Sequence, residues 1–214
     1  MGADHRAFDR IKLEGYDQTH IPWLLPDKKE SFQSYARRLA EPILKAKNPM
    51  VIGVSLGGML ASEMTSFIPH MRAIIISSVK SPEERSALLK LGRTIPLQRL
   101  LPKSFIKKGT WFWGQAHKQI DKSEVDYMIK MFHDQDERFL KWAMINTPLW
   151  KGRGDDNRIF HIHGDKDELF PFKKIKDAHL VKGGTHFMVF TRGKEISKII
   201  KAELNRIAGD SSSA

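Results

Sequence analysis

The run Met50-Val51-Ile52-Gly53-Val54-Ser55-Leu56-Gly57-Gly58 decides how this chain is read. Its first half is apolar and β-branched, the composition of a buried strand. Pro49 punctuates its start, and beyond it Leu60, Met64, Phe67 and Ile68 recur at helical spacing. A strand therefore turns sharply into a helix at Gly-x-Ser-x-Gly. Such a turn forces the serine into an uncomfortable backbone conformation, and the residues two positions to either side must be small, as Gly53 and Gly57 are. The turn makes Ser55 a candidate nucleophile and aims free N–H groups, including that of Leu56, at a developing negative charge. An incidental serine in a glycine-rich turn would show the same pattern, so the reading depends on partners elsewhere in the chain.

A serine hydroxyl becomes a useful nucleophile only when a base takes its proton and a carboxylate orients that base. The second half of the chain supplies both. Arg158-Ile159-Phe160-His161-Ile162-His163 reads as a strand, and Gly164-Asp165-Lys166-Asp167-Glu168-Leu169-Phe170-Pro171 as the loop at its end. Asp165, Asp167 and Glu168 each stand where a carboxylate could leave the strand. Asp177-Ala178-His179-Leu180-Val181 reads as another short strand, and Lys182-Gly183-Gly184-Thr185-His186-Phe187 as a glycine loop carrying a histidine. His161 and His163 alternate with apolar residues, which suits half-buried sheet positions. With Asp165 and His186 they could be imagined as a metal site, but no compact ligand spacing joins them, and no metal is expected.

Taken together, the three segments resemble the α/β-hydrolase family over nearly the whole chain. Gly53-Val54-Ser55-Leu56-Gly57 is similar to its nucleophile elbow, His163-Gly164-Asp165-Lys166-Asp167 with Pro171 to its acid loop, and Gly183-Gly184-Thr185-His186-Phe187 to its histidine loop. The resemblance implies Ser55 as nucleophile, His186 as general base and then acid, and Asp167 as the orienting carboxylate. Asp167 is preferred because the family's acid usually lies three residues after the loop glycine and four before the proline. The implied activity is a serine hydrolase that cleaves a carboxylic ester or related acyl compound without a cofactor. The family's third strand ends in a loop that donates the second oxyanion N–H, and here the chain begins at what resembles that loop. Leu56 with Met1 or Gly2 would form the oxyanion hole. A central strand between the Tyr16 segment and the Ser55 strand has no counterpart, which implies an incomplete start or a rearranged sheet. The alternative is therefore a noncatalytic binding protein of the same fold with an incomplete oxyanion hole.

The 214 residues, 41% of them hydrophobic, suffice for one sizeable domain with its own core. The absence of cysteine rules out disulfides and thiol chemistry and fits a reducing compartment, here read as the cytoplasm. No apolar run approaches the ~18 residues of a membrane span. The net charge of +11 could serve an anionic partner, but the lysines and arginines are scattered. No motif with interleaved aromatics calls for nucleic acid.

Along the chain, Tyr16–Trp23 is expected to be a short strand and residues 31–45 a helix bent or shortened by Pro42. Met71–Val79 has the continuous apolar character of a parallel strand buried on both faces. Ile196, Ile199, Ile200, Leu204 and Ile207 mark an amphipathic helix, followed from Asp210 by a frayed tail. Alternating strands and helices predict an α/β fold with a mostly parallel sheet. Between Ser81 and Lys151 the strand signal vanishes, in a segment longer than an ordinary crossover. The expected division is a core of residues 1–80 and 152–210, a helical cap over 81–151 and a disordered tail at 211–214. Trp111, Trp113, Met128 and Phe132 of the cap are candidates to line an apolar acyl pocket for a small-molecule substrate. Residues 90–108 mix apolar and basic side chains, which suggests lipid-surface contact as a lesser reading.

Overall fold

In the computed structural model, residues 3–86, 122–152 and 154–212 are described. Four strands form one parallel sheet in the order β1 (Met50–Val54), β2 (Arg72–Ile76), β3 (Ile159–Gly164) and β4 (Ala178–Val181). Ile52 stands beside Ile74, Ile75 beside His161, and His163 beside Leu180. Successive residues of a strand point to opposite faces, and β2 needs apolar residues on both. Ala73 and Ile75 join one hydrophobic cluster, whereas Ile74 and Ile76 join the other. That is why Arg72-Ala73-Ile74-Ile75-Ile76 reads as a run and not as an alternation.

The first cluster is built by α1 (Phe32–Leu39), α2 (Leu56–Thr65) and α4 (Glu137–Asn146), which follows α3 (Lys122–His133) in the chain. Ser31 caps α1 by accepting the Ser34 N–H, and Phe32, Tyr35, Ala36 and Leu39 form its buried stripe. The α-helix ends at Leu39 and not at residue 45, because Pro42 falls in a separate 3-10 turn, Glu41–Ile43. Trp142 of α4 packs on Tyr35, ring centroids 4.1 Å apart, and its Nε1–H donates to the Glu30 carbonyl at 2.9 Å. Residues 137–150, in the latter part of the segment expected to form a cap, thus contribute Phe139, Leu140, Trp142, Ala143 and Trp150 to the first cluster. The second cluster gathers Ile11, Leu13, Ile162 and Val181 with Met188 and Val189 of α5 (Met188–Thr191) and Ile196 and Ile200 of α6 (Gly193–Ser212).

Two expectations are corrected. The segment Tyr16–Trp23 is not a strand. Its backbone joins no ladder, and Trp23 instead stacks on Phe139 at 4.9 Å and donates its Nε1–H to the Ala3 carbonyl at 2.8 Å. Side-chain packing outweighs β propensity there. Nor does the chain fray at Asp210, since α6 continues to Ser212. Residues 87–121, half of the segment expected to form a cap, lie outside the described residues. Among the described residues β1 pairs on one side only, with β2, so the strand carrying Ser55 is an edge of the sheet they form.

The β1–α2 junction depends on two backbone approaches. A Cβ on Gly53 would collide with the Gly57 carbonyl, and one on Gly58 would meet the Ser78 side chain at 2.5 Å. The first neighbour is backbone and cannot step aside. Gly53→Ala is therefore expected to lift α2 from the sheet and to cost about 2 kcal/mol or more. A lowered urea midpoint would show this; an unchanged midpoint would mean that the turn is not tightly packed.

Candidate active site

Ser55 closes β1 and N-caps α2 with φ 53° and ψ −117°, a conformation that non-glycine residues seldom adopt. The surrounding bonds hold it there. Its N–H donates to the Ile76 carbonyl at 3.0 Å, and its own carbonyl accepts the Ser78 hydroxyl at 2.7 Å. The side chain is half-buried, and its Oγ lies 3.1 Å from His186 Nε2. His186 stands in the loop between β4 and α5, with Nδ1 2.9 Å from Asp167 Oδ2. Asp167 follows β3, and its other oxygen, Oδ1, accepts the N–H groups of Leu169 and Phe170, both at 2.9 Å. Three loops at the C-terminal end of the parallel sheet thus bring together residues 55, 167 and 186.

Asp167 is 3% exposed, so burial by itself would raise its pKa. The electrostatic pull and hydrogen bond of the neighbouring His186, with the Phe170 N–H and nearby His163, outweigh burial and hold the carboxyl below its ordinary value. Asp167 is therefore an anion, and an anion accepts. The proton shared with His186 belongs to Nδ1, which leaves Nε2 as the lone pair facing Ser55. That tautomer suits removal of the hydroxyl proton. Asp165 is exposed and turns elsewhere, accepting the Gly183 N–H at 2.6 Å and tying the acid loop to the histidine loop. Glu168 is exposed.

Leu56 is the first residue of α2, and its side chain is buried in the first cluster, 2% exposed. Its N–H is one of the helix-terminal donors that no turn of the helix satisfies. Met1, Gly2, Trp111 and Trp113 lie outside the described residues, and nothing is described of the Met128 side chain. Phe132, on α3, is partly buried and packs on the first cluster. Trp23, which local reading places in a strand, comes against the elbow instead, its ring 3.8 Å from where a Cβ of Gly57 would stand. His161 and His163 are not half-buried but 1% and 0% exposed, and His163 Nε2 lies 3.6 Å from Asp167 Oδ2. The four-residue spacing of His163 and Asp167 across Gly164 was the available signal for that contact. Among the described residues no three His, Asp or Glu side chains are placed to share a metal ion.

Neither a family model nor a curated protein sequence matches this chain. Solved structures do. An esterase from Exiguobacterium antarcticum superposes with a TM-score of 0.68 at 15% identity, over 95% of this chain and 88% of that one. A bromoperoxidase from Bacillus anthracis gives 0.62 at 15% identity, over 94% and 88%. A lipase-esterase related protein from Clostridium acetobutylicum gives 0.59 at 13% identity, over 94% and 90%. The chain adopts the α/β-hydrolase fold. No helix among the described residues is long and apolar enough to cross a membrane.

Proposed function

We propose that this α/β-hydrolase chain is a serine hydrolase that cleaves a carboxylic ester or related acyl compound. The unbroken contact Ser55 Oγ–His186 Nε2–His186 Nδ1–Asp167 Oδ2, at 3.1 and 2.9 Å, carries the reading. Ser55 Oγ attacks the acyl carbon as its proton passes to His186 Nε2, and Asp167 stabilises the imidazolium. The Leu56 N–H, at the N-terminus of α2, donates to the oxyanion, with Met1 or Gly2 assigned as the second donor. Collapse expels the leaving group, which takes the proton from His186. Water, deprotonated by the same nitrogen, then frees the acyl group from Ser55. No step needs a metal or organic cofactor.

Residues 81–151 are assigned as an insertion that shapes the acyl pocket, anchored at its end by α4 and Trp150 in the first cluster. Trp111, Trp113, Met128 and Phe132 are assigned to substrate contact, and the compartment is taken to be the cytoplasm. The position of β1 at the sheet edge favours one competing reading, a noncatalytic binding protein. A fluorophosphonate probe separates the two, because it reacts only with an activated serine. Mass spectrometry of the labelled chain should find the adduct on Ser55 and none on a folded His186→Ala variant. A folded wild-type chain with no adduct would overturn the hydrolase reading.

A further inference from the structure

A second imidazole faces the carboxylate of Asp167, from β3. His163 Nε2 lies 2.8 Å from the Phe170 carbonyl and 3.6 Å from Asp167 Oδ2, while its Nδ1 lies 3.2 Å from His161 Nε2. Proton positions follow from what each partner can do. A carbonyl only accepts, so His163 Nε2 carries the hydrogen, and in a neutral ring Nδ1 is then an acceptor. His161 Nε2 must therefore donate to it. This leaves His161 Nδ1 as a lone pair, buried and without a partner in hydrogen-bond geometry among the described residues, although the Ser78 backbone lies close enough to the ring to favour a proton on it weakly against the larger effect of burial. Both rings are neutral in this arrangement. Burial holds both below the ordinary imidazole range, His161 at about 3, with the neighbouring His163 and Lys80 also opposing a charge on His161.

Both backbone polar groups of Phe170 are held, on either side of its Cα. Its N–H donates to Asp167 Oδ1, and its carbonyl accepts from His163. With Oδ1 occupied by Leu169 and Phe170, only Oδ2 remains to meet His186. We infer that His163 is a positioning residue of the site: as a neutral Nε2–H tautomer backed by His161, it clamps the Phe170 carbonyl, fixes the backbone whose N–H holds Asp167 Oδ1, and so keeps Asp167 Oδ2 turned to His186. This rests on the reading of Ser55, His186 and Asp167 as the reacting groups. The charge state matters as much as the contact. A proton on His163, 3.6 Å from the carboxylate, would compete with His186 for the same anion.

The titratable groups around this centre are few. His161 lies on the same strand, Asp167 on the acid loop, and His186 on the loop after β4. From the segment after β2, buried Lys80 acts on His161 and stands 4.0 Å from Asp177, while its backbone N–H donates to buried Glu84.

The test is the pH dependence of fluorophosphonate labelling at Ser55 in the wild type, His163→Leu and His163→Gln. Leucine removes the clamp, so the imidazolium of His186 loses part of its stabilisation. The acid midpoint of labelling should fall by about one unit and the plateau rate by about tenfold. Glutamine, whose amide can donate to the Phe170 carbonyl, should restore the midpoint and bring the rate within about threefold. A folded leucine variant with the wild-type midpoint would overturn the inference even if its labelling were slower, since lost packing alone does not move a titration. Absent labelling of the wild type would instead sink the hydrolase reading. Nitrogen-15 spectra of the wild-type imidazoles decide the clamp independently of activity and of variant folding. His161 and His163 should both remain neutral Nε2–H tautomers from about pH 8 to 5. A protonated His163, or one carrying its hydrogen on Nδ1, would refute it.

Discussion

Ser55→Ala and His186→Ala are each expected to lower ester hydrolysis by about 10⁴- to 10⁶-fold, with the double variant little worse than either. The non-additivity follows from the geometry. Oγ and Nε2, 3.1 Å apart, share one proton, so either without the other does nothing useful. Asp167→Asn should cost about 10⁴-fold, because an amide can present an N–H to His186 and favour the wrong tautomer. Asp165→Asn tests the alternative acid. Asp165 is bonded to the Gly183 N–H and not to His186, so its replacement should change the rate by less than about tenfold. Rates on a short-chain aryl ester, with circular dichroism to establish folding, decide the matter. A His186→Ala variant retaining wild-type turnover would remove His186 from the mechanism, and a larger loss for Asp165→Asn than for Asp167→Asn would reverse the assignment of the acid.

Lowering the pH from about 7.5 to 4.5 is expected to destabilise the fold by roughly 2–3 kcal/mol through His161 alone, with a further loss from His163. Both rings are buried and neutral, and burial depresses both, His161 from 6.5 to about 3. Once unfolded, each ring takes a proton below about pH 6.5. In the window between those values the unfolded chain binds more protons than the folded one, so stability present above pH 6.5 is lost as the pH falls towards 3. Asp167, also depressed, adds to the loss only below its ordinary value of 3.8. Urea midpoints at about pH 7.5, 6 and 4.5 should descend. His161→Phe, which deletes one titrating group, should flatten the descent. Equal midpoints at all three pH values would show that the histidines are hydrated or already charged in the folded protein.

The parts of the fold legible in the sequence are those set by local periodicity and steric need. The apolar run over 72–76, the alternation over 159–164, the stripe of α1 and the Gly-x-Ser-x-Gly turn each encode their own geometry, because burial on one face or two leaves a repeating mark. The Tyr16–Trp23 segment misleads for the converse reason. Aromatic and β-branched residues suit a strand, but a strand needs a neighbouring ladder, and this stretch joins none. Trp23 finds its partner 116 positions along the chain, in Phe139 (139 − 23 = 116), and no local window holds both.

The candidate site divides in the same way. The order serine, acidic loop and histidine loop was readable because each member lies at the end of its own strand, and the sequence by itself determined the parallel α/β class and the sharp turn at Ser55. The preference for Asp167 comes only from the family resemblance, and the tertiary structure supplies the physical ground for which carboxylate meets His186. Asp165 and Asp167 lie two residues apart in one loop, and only the folded path of that loop sends one to Gly183 and the other to His186. It also decided that His161 and His163 are buried and bonded to each other behind Asp167, and that α4 belongs to the core. The physical reason is range: a turn or a stripe arises from interactions within a few residues, whereas a hydrogen bond across 131 positions exists only after the strands have paired.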